Sequence, residues 1–534
     1  MKFSICQINP SVGDLDYNYK KIIDFYNKSL VLGSDIVIFP ELSITGYPPK
    51  DLLFEKNFIE KNLDYCWKIS KLSTKPIIFG YVNRINDNLY NSAAVCYSGK
   101  LCYSYNKKLL PNYDIFDEKR YFRSGFDSGV FQIQYDKLKI SLGLQICEDI
   151  WDEPYSTKIS EDQKKKGAEV IINISASPFC IDKLTKRTEL IKNKAKTLSI
   201  PFIYCNMVGA QDEIIFDGSS LAYSQDGKLI QQGKYFDECV TIVDFEKNNS
   251  IKLKIQKREE KIFNALCLGV SDYFYKTGNS ESVLGLSGGI DSALTAAIAC
   301  EALGSKNVHG ILMPSKFSSE HSIKDAKLLA ENLGMDYRNI SIQNSVDTML
   351  KSLKNEFLGL KEDTTEENIQ SRIRGSILMA LSNKFNWILL TTGNKTELAL
   401  GYCTIYGDMN GGLGVISDLN KLDVYKLAKW YNKNKNKKIP QNSINKSPSA
   451  ELSYNQIDPF DYNIISPLVD NIIENKKLIK DLVSDNLDIE FIQKIYQKIN
   501  NNEFKRYQSA PGLKISNKAF GIGRRFPIVN NYKG

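Results

Sequence analysis

The sequence predicts an α/β protein that is built from two domains. Short strands and helices alternate from residue 1 to about residue 245, and a regular βαβαβ alternation begins at residue 283. The chain has 534 residues, which is too long for one ordinary hydrophobic core. We therefore expect a first domain at residues 1–245, a linker at 246–258 and a second domain at 259–534.

In the first domain, short apolar runs predict strands and two longer amphipathic segments predict helices. The strands are expected at 3–8, 36–39, 76–81, 91–96, 101–105, 138–146, 170–174, 202–206 and 219–224, and the helices at 17–31 and 182–197. Residues 246–258, which follow the first domain, are polar and charged, and this composition is typical of a linker.

In the second domain, an amphipathic helix is expected at about 259–277, before the alternation begins. Strands then follow at 283–286, 308–313, 337–342 and 387–391, and helices at 292–303, 319–333, 345–356 and 367–383. Strands joined through helices pair in parallel with right-handed crossovers. This half therefore predicts a doubly wound, Rossmann-like parallel sheet.

The composition indicates a soluble globular protein of the cytoplasm. No apolar run approaches the ~20 residues that a membrane helix needs, and the N-terminus shows no secretory pattern. The eleven cysteines are scattered singly, which predicts free thiols in a reducing compartment. The formal net charge of +8 comes mostly from Lys, so we expect a solvated lysine surface and neither a nucleic-acid nor a membrane partner.

Histidine is the most discriminating residue type in this sequence. The chain contains only His309 and His321, so the first half contains none. A hydrolytic site there cannot use a Ser-His-Asp or Cys-His arrangement, and a His-ligated zinc site is excluded as well.

Three segments of the first half carry residues that suit covalent catalysis without histidine. IVIFPELSITGYPP (36–49) contains Glu41, YNKKLLPNYDIFDEKRYF (105–122) contains Lys107, and ISLGLQICEDIWDE (140–153) places Cys147 at the end of a strand. Each residue alone has an ordinary structural explanation, as a helix cap, a surface lysine or a core cysteine. Together they supply a nucleophile, a base for its proton and a cation for the oxyanion.

These segments resemble the nitrilase, or carbon–nitrogen hydrolase, superfamily, whose Glu-Lys-Cys triad matches Glu41, Lys107 and Cys147. The resemblance implies an αββα sandwich that acts as a glutaminase, with Glu118 as an additional carboxylate near the triad. The glutamine-binding residues that it implies are Tyr113, Ser177 and Lys183.

The segment LGLSGGIDSALTAAIA (284–299) predicts an anion site in the second half. A strand runs into a glycine-rich turn that opens a helix, where backbone N–H groups face an anion. The turn has neither the Lys of a GxxxxGK[ST] loop nor the GxGxxG spacing. Asp291 is instead suited to Mg²⁺. A loop that holds the two outer phosphates of ATP as a pyrophosphate leaving group explains both features, and an ordinary core turn is the alternative.

This loop resembles the PP-loop, or N-type ATP pyrophosphatase, family, which has an adenine nucleotide alpha hydrolase-like fold and forms adenylated intermediates. The family includes tRNA-modifying enzymes, so the loop alone names no substrate. Four further stretches resemble the NAD⁺ synthetases. They are EENIQSRIRGSILMALSN (366–383), TTGNKTELALGYCTIYGDMNGGLGVISDLNKLDVY (391–425), PSAEL (448–452) and FKRYQSAPGLKISNKAFGIGRRFPI (504–528).

Joined to the nitrilase-like half, these stretches resemble the glutamine-dependent NAD⁺ synthetase family over essentially the whole chain. The resemblance implies that deamido-NAD⁺ is amidated through an adenylate with ammonia from L-glutamine, releasing AMP, diphosphate and glutamate. It implies ATP and Mg²⁺ as cofactors and a homo-oligomer. A PP-loop enzyme that modifies tRNA, fused to an independent amidase, is the alternative.

The same resemblance assigns residues of the second half to ligands. Asp408 is expected on a loop that closes over the intermediate. The assigned residues are Ser287, Gly288, Gly289, Ile290, Asp291, Ser292 and Thr392 for ATP and its pyrophosphate, Asn368, Arg372, Glu397 and Lys505 for deamido-NAD⁺, and Asp291 and Glu397 for Mg²⁺.

Overall fold

A computed structural model describes residues 1–247, 249–454, 456–484, 487–530 and 532. The chain divides into two units, residues 1–256 and 257–534. Among the described residues, helices long and apolar enough to cross a membrane are absent.

Unit 1 contains the following elements in chain order. Its strands are β1 Lys2–Gln7, β2 Ile36–Ile38, β3 Ile77–Ile85, β4 Asn88–Tyr97, β5 Lys100–Asn106, β6 Val130–Tyr135, β7 Leu138–Ile146, β8 Val170–Ser175, β9 Phe202–Asn206, β10 Val208–Gln211, β11 Ile214–Asp217, β12 Leu221–Tyr223, β13 Leu229–Gln232 and β14 Cys239–Asp244. Its α-helices are α1 Leu15–Val31, α2 Lys56–Leu72, α3 Ile159–Lys165 and α4 Lys183–Leu198.

Two six-stranded sheets form the centre of unit 1. One has the order β14-β1-β2-β3-β4-β5 and the other the order β13-β12-β9-β8-β7-β6. Apolar side chains of both sheets, such as Ile78 and Leu144, share one buried core. Helices α1 and α2 cover the outer face of the first sheet, where Ile69 is buried, and α4 covers the second with Ile191. The predicted αββα sandwich is therefore confirmed.

Unit 1 also contains elements that were not expected from the sequence, namely strands β6, β10, β11, β13 and β14 and helices α2 and α3. Helix α2 was not predicted, because polar side chains such as Asn62 lie on its buried face and interrupt the apolar stripe. Part of the expected linker is hydrogen-bonded to β13: the N–H of Ile251 donates to the carbonyl of Leu229 at 2.8 Å. Asn248, within the same expected linker, lies outside the described residues.

Unit 2 contains the remaining elements. Its strands are β15 Ser282–Gly285, β16 Val308–Leu312, β17 Asp336–Asn339, β18 Ile388–Thr391 and β19 Leu413–Gly414. Its α-helices are α5 Arg258–Thr277, α6 Ile290–Leu303, α7 Glu320–Leu333, α8 Gln343–Leu353, α9 Thr364–Phe385, α10 Lys395–Leu400, α11 Lys421–Asn434, α12 Gln441–Asn445, α13 Tyr462–Ile473, α14 Ile489–Asn501 and α15 Glu503–Arg506.

The strands of unit 2 form one parallel sheet in the order β17-β16-β15-β18-β19. The predicted doubly wound parallel sheet is therefore confirmed. The chain order reverses between β15 and β18, and ligands of such sheets bind at the carboxyl ends of the strands at this switch point. The loop that begins at Ser287 follows β15, and Thr392 follows β18. The fold thus brings these two predicted ATP-binding segments to one edge of the sheet.

Candidate active sites

Cys147 lies where β7 turns into the short 3₁₀-helix Cys147–Ile150. Its φ is +43°, in the left-handed region that costs a non-glycine residue about 1–2 kcal/mol. Cys147 is buried, at the carboxyl end of the strand. A strained turn at the end of a strand is a common way to project a nucleophile from a sheet.

Lys107 joins two carboxylates in the same buried site. Its Nζ donates to Glu41 Oε1 at 2.7 Å and to Glu118 Oε1 at 2.8 Å. Glu41 also accepts from Asn91 Nδ2 at 2.7 Å and from the N–H of Ala176 at 2.8 Å. All three charged side chains are buried, so each is held in a defined position.

Burial and neighbouring charges set the protonation of these groups. Burial raises the pKa of the Cys147 thiol well above its usual value, and Glu41 raises it further, against the effect of Lys107. Burial lowers the pKa of Lys107, but the charges of Glu118 and Glu41 outweigh burial and raise it well above its usual value. Burial raises the pKa of Glu118 to about 7, opposed by Lys107. The resting site thus contains a neutral thiol near a charged ammonium, and the thiol must release its proton as it attacks.

Glu148, the residue after Cys147, lies among the predicted glutamine-binding residues. Its carboxylate accepts from Tyr113 Oη at 3.0 Å and from Tyr155 Oη at 2.9 Å. Burial raises the pKa of Glu148, opposed by its hydrogen bond from Tyr155. Lys183 Nζ lies 4.1 Å from the centroid of the Trp151 ring, and burial lowers its pKa. This region therefore adds the Glu148 carboxylate and the Lys183 ammonium to the charged groups that surround Cys147.

The hydroxyl of Ser177 is hydrogen-bonded to a buried ion pair. Arg187 Nη2 donates to the Ser177 hydroxyl at 3.3 Å and to Asp217 Oδ1 at 3.1 Å. The N–H of Ser177 donates to Asn206 Oδ1 at 2.9 Å. These residues are all buried, so both the backbone and the hydroxyl of Ser177 are fixed.

In unit 2, the segment Ser287–Ser292 runs from the loop after β15 into the first turn of α6, which begins at Ile290. Gly288 has φ +76°, and an added Cβ would lie 2.8 Å from Ser322 Cα and closer still to the Ser322 carbonyl. Only glycine fits this position, because both the backbone conformation and the close approach of the α7 backbone exclude a side chain. The hydroxyls of Ser287 and Ser292 lie 3.1 Å apart and close the turn.

A cavity of about 520 Å³ opens beside this loop. Most of the residues predicted for ATP and deamido-NAD⁺ line it, whereas Gly288 and Arg372 do not belong to the lining. The predicted residues in the lining are Ser287, Gly289, Ile290, Asp291, Ser292, Asn368, Thr392, Glu397 and Lys505.

Lys421 joins the two carboxylates that were predicted to bind Mg²⁺. Its Nζ lies 2.5 Å from Asp291 Oδ2 and 3.1 Å from Glu397 Oε1. Asn394 Nδ2 donates to Asp291 Oδ1 at 2.9 Å. Burial raises the pKa of Glu397 to about 7; Lys421 lowers it and Asp291 raises it. The two carboxylates therefore lie close enough to share one cation.

The other predicted residues of unit 2 occupy different environments. Lys505 Nζ donates to the carbonyls of Gly401 at 2.7 Å and Cys403 at 2.8 Å. Asn368 Oδ1 accepts from the Thr404 hydroxyl at 2.8 Å. Arg372 is exposed, and its Nε donates to the carbonyl of Ile405 at 3.3 Å.

Asp408, expected on a closing loop, lines the cavity and is anchored to its surroundings. The N–H of Thr404 donates to Asp408 Oδ1 at 2.6 Å, and the Ser371 hydroxyl donates to the same oxygen at 3.3 Å. Burial raises the pKa of Asp408, opposed by the bond from Thr404. In this conformation Asp408 therefore belongs to a fixed wall of the cavity.

Comparisons with known proteins agree with this arrangement. Residues 2–254 match the carbon–nitrogen hydrolase family, and residues 262–509 match the NAD synthase family. The glutamine-dependent NAD(+) synthetase of Thermotoga maritima is 39% identical, over 100% of this chain and 99% of the relative. That of Synechocystis is 40% identical, over 99% of this chain and 98% of the relative.

The chain belongs to the glutamine-dependent NAD⁺ synthetase family. The crystallised glutamine-dependent NAD⁺ synthetase of Acinetobacter baumannii, in complex with ADP, shares 35% identity and a TM-score of 0.80, covering 99% of this chain and 98% of that one. The enzyme from Cytophaga hutchinsonii shares the fold, with a TM-score of 0.85 at 23% identity, over 99% of this chain and 98% of that one. Matches over the whole chain decide against a tRNA-modifying enzyme fused to an independent amidase.

Sequence reasoning did not assign two residues that lie at these candidate sites. Glu148 directly follows the nucleophile, and that adjacency was the available signal. Lys421 lies 130 residues from Asp291 along the chain, so only the fold reveals their contact. Arg374 also lines the cavity, and burial lowers its pKa to about 10, opposed by Glu451.

Proposed function

We propose that this chain synthesises NAD⁺ by ATP-dependent amidation of deamido-NAD⁺, with glutamine as the source of nitrogen. Unit 1 releases ammonia from glutamine, and unit 2 forms and then amidates an adenylate, releasing AMP and diphosphate. The observation that carries this proposal is the presence, in one chain, of a buried Cys147–Glu41–Lys107 cluster and of a cavity beside the Ser287–Ser292 loop. The names of the relatives along the whole chain support it.

In the glutaminase reaction, the Cys147 thiol attacks the side-chain amide carbon of glutamine. Glu41 takes the thiol proton during attack, because the raised pKa of the thiol prevents ionisation beforehand. Lys107 stays charged and stabilises the oxyanion of the tetrahedral intermediate, where one lost donor typically costs about 10²–10³ in rate. The proton held by Glu41 leaves with ammonia, and water then hydrolyses the thioester to glutamate.

We assign the glutamine backbone groups to complementary charges of the site. The Lys183 ammonium suits the α-carboxylate, and the Glu148 carboxylate suits the α-ammonium. Tyr113 orients Glu148 through its hydroxyl, and the fixed Ser177 hydroxyl supplies a neutral contact. A specificity for free glutamine over a peptide-bound side chain follows from this pairing.

For unit 2, we assign Ser287, Gly288, Gly289, Ile290, Asp291, Ser292 and Thr392 to ATP and its pyrophosphate. The N-terminus of α6 directs backbone N–H groups and the positive end of the helix dipole toward the anion. We assign Asn368, Arg372, Glu397 and Lys505 to deamido-NAD⁺, and Asp408 to the wall that contacts the intermediate.

The carboxylates of Asp291 and Glu397 fit a magnesium ion. They lie 2.5 and 3.1 Å from one shared ammonium, so a single cation can contact both. Among the described residues, no three metal-ligating side chains converge, which suits Mg²⁺ because it keeps waters and substrate phosphates as ligands. When bound, the ion would neutralise phosphate charge during adenylation.

We further propose that the chain acts in the cytoplasm on small molecules, without a nucleic-acid or membrane partner, and as a homo-oligomer. All eleven cysteines, each within the described ranges, are free thiols, which supports a reducing compartment. A light-scattering mass tests the oligomer.

The decisive experiment separates the two nitrogen sources. Cys147→Ala is expected to abolish NAD⁺ synthesis from glutamine and to retain synthesis from added ammonium. Cys66→Ala, which removes another buried thiol of unit 1, is the matched control and retains both activities. Loss of both activities in Cys147→Ala alone would contradict this division of labour.

A further inference from the structure

Asp149 is a fully buried carboxylate two residues after the nucleophile, and the reaction described above does not use it. Its Oδ2 accepts from the N–H of Ile146 and from Tyr105 Oη, both at 2.9 Å. Its Oδ1 accepts from the N–H groups of Leu109 at 2.9 Å and Lys108 at 3.2 Å. One side chain thus receives four hydrogen bonds, and all of them come from residues near the catalytic groups.

These four donors belong to three different segments. Ile146 precedes Cys147 in the strained turn, Tyr105 lies near the end of β5, and residues 108 and 109 directly follow Lys107. Asp149 therefore ties the backbone of the nucleophile to the backbone of the oxyanion-stabilising lysine. Burial raises the pKa of Asp149 to about 6, opposed by the bonds from Leu109 and Ile146, so the carboxylate is ionised and accepts all four at neutral pH.

We propose that Asp149 is a positioning residue of the glutaminase reaction, which fixes the Cys147 turn against the loop of Lys107. The inference rests on the proposed function of this site. Asp149 touches the reacting groups only through the backbone that it holds, so its removal alters the relative placement of Cys147 and Lys107. A displacement of about 1 Å between reacting groups can cost ~10²-fold in rate.

The test is Asp149→Asn in the full chain. The amide keeps the size of the side chain, but its NH₂ group faces donors where the carboxylate offers an oxygen. We expect kcat for glutamine hydrolysis to fall by about 10²-fold. This kcat is normalised to the fraction of Cys147 that reacts with iodoacetamide. KM for glutamine stays within about threefold and ammonium-driven synthesis stays unchanged, because substrate contacts and unit 2 are intact.

Asp152→Asn is the matched control. Asp152 is equally buried and lies in the same segment, but its carboxylate accepts from the Ser160 N–H at 3.4 Å and Lys194 Nζ at 2.6 Å. The variant Asp152→Asn is expected to keep the wild-type kcat.

Tyr105→Phe removes one donor to Asp149 and is expected to lower kcat by a smaller factor than Asp149→Asn does. This second variant keeps the proposal testable if Asp149→Asn does not fold.

Three results discriminate among the possible outcomes. A wild-type kcat per labelled Cys147 in Asp149→Asn, with only a lower melting temperature, would show a purely structural role and overturn the proposal. A raised KM at constant kcat would also overturn it, because it would place Asp149 in substrate binding. Absence of glutamate release from the unsubstituted chain would instead refute the proposed function.

Discussion

The ammonium of Lys421 lies 2.5 Å from a carboxylate oxygen of Asp291, inside the cavity of unit 2. Glu397 lies on the other side of the same ammonium, at 3.1 Å, and Lys421 is only 3% exposed. Burial lowers the pKa of Lys421, but the two carboxylates outweigh burial and raise it. Before a metal arrives, the ammonium of Lys421 therefore offsets one unit of the negative charge of the proposed magnesium ligands.

Lys421→Met is expected to increase the affinity of the nucleotide-free chain for Mn²⁺ by about tenfold, a change of ~1.4 kcal/mol. The metal no longer competes with an ammonium for Asp291 and Glu397. Mn²⁺ takes the place of Mg²⁺ in this experiment because electron paramagnetic resonance titration measures the concentration of free Mn²⁺. Lys426→Met removes a lysine from the exposed face of the same helix and is expected to bind Mn²⁺ like the unsubstituted chain. Equal affinities in all three proteins would show that Lys421 does not compete with the metal.

Glutaminase activity is expected to increase as the pH rises through about 7, because Glu118 then loses its proton. The ionised carboxylate then accepts the hydrogen bond of Lys107 Nζ at 2.8 Å as a full charge and holds the ammonium in place to stabilise the oxyanion. Burial raises the pKa of Glu118 from its ordinary value of 4.5 to about 7 in the folded chain. Its contribution to stability is therefore complete below pH 4.5 and is lost as the pH rises to about 7.

Glu118→Gln, which cannot ionise, checks this interpretation. The increase in kcat/KM for glutamine near pH 7 is expected to flatten, and the pH profile of ammonium-driven synthesis serves as the internal reference. An unchanged step near pH 7 in Glu118→Gln would assign that ionisation to another group.

The sequence predicted those features that a short segment carries by itself. The strand before Cys147 and the turn after Leu286 place reactive residue types at strand ends, so these residue types sufficed to predict both candidate sites. Lys421 and Asp149 could not be predicted in this way, because the roles proposed for them depend on contacts with distant segments, such as Asp149 with residues 108 and 109. Arg372 is the opposite case: its motif assigns it to deamido-NAD⁺, but its exposed side chain lies outside the cavity lining, so that assignment stays a prediction.

Removing Arg187 from its buried ion pair with Asp217 is expected to destabilise unit 1 far more than removing Lys28 from a shorter pair on the surface. Their atoms lie 3.1 Å apart with side chains 0% and 2% exposed, whereas Lys28 and Asp24 lie 2.6 Å apart with both side chains 57% exposed. Arg187→Met leaves a buried, uncompensated carboxylate and should lower the free energy of unfolding by about 3–5 kcal/mol. Lys28→Met should change it by less than about 1 kcal/mol.

The rate at which the buried Cys205 thiol is alkylated in increasing urea reports the unfolding of unit 1. Arg187→Met is expected to shift this transition to clearly lower urea than Lys28→Met does. Coincident transitions of the two variants would show that leaving a buried carboxylate without its partner costs no more free energy of unfolding than leaving an exposed one.

Gly288→Ala is expected to abolish ATP binding and ammonium-driven synthesis. The added methyl group would meet the Ser322 carbonyl and Cα, which belong to the backbone of α7 and cannot rotate away. Gly278→Ala is the matched control, because Gly278 has φ +73° against +76° for Gly288 but no atom within 4 Å of an added Cβ. It carries the same conformational cost of about 1–2 kcal/mol without the collision. Isothermal titration with ATP should therefore show binding for Gly278→Ala and none for Gly288→Ala, and equal binding by both would refute the close approach of α7 to the loop.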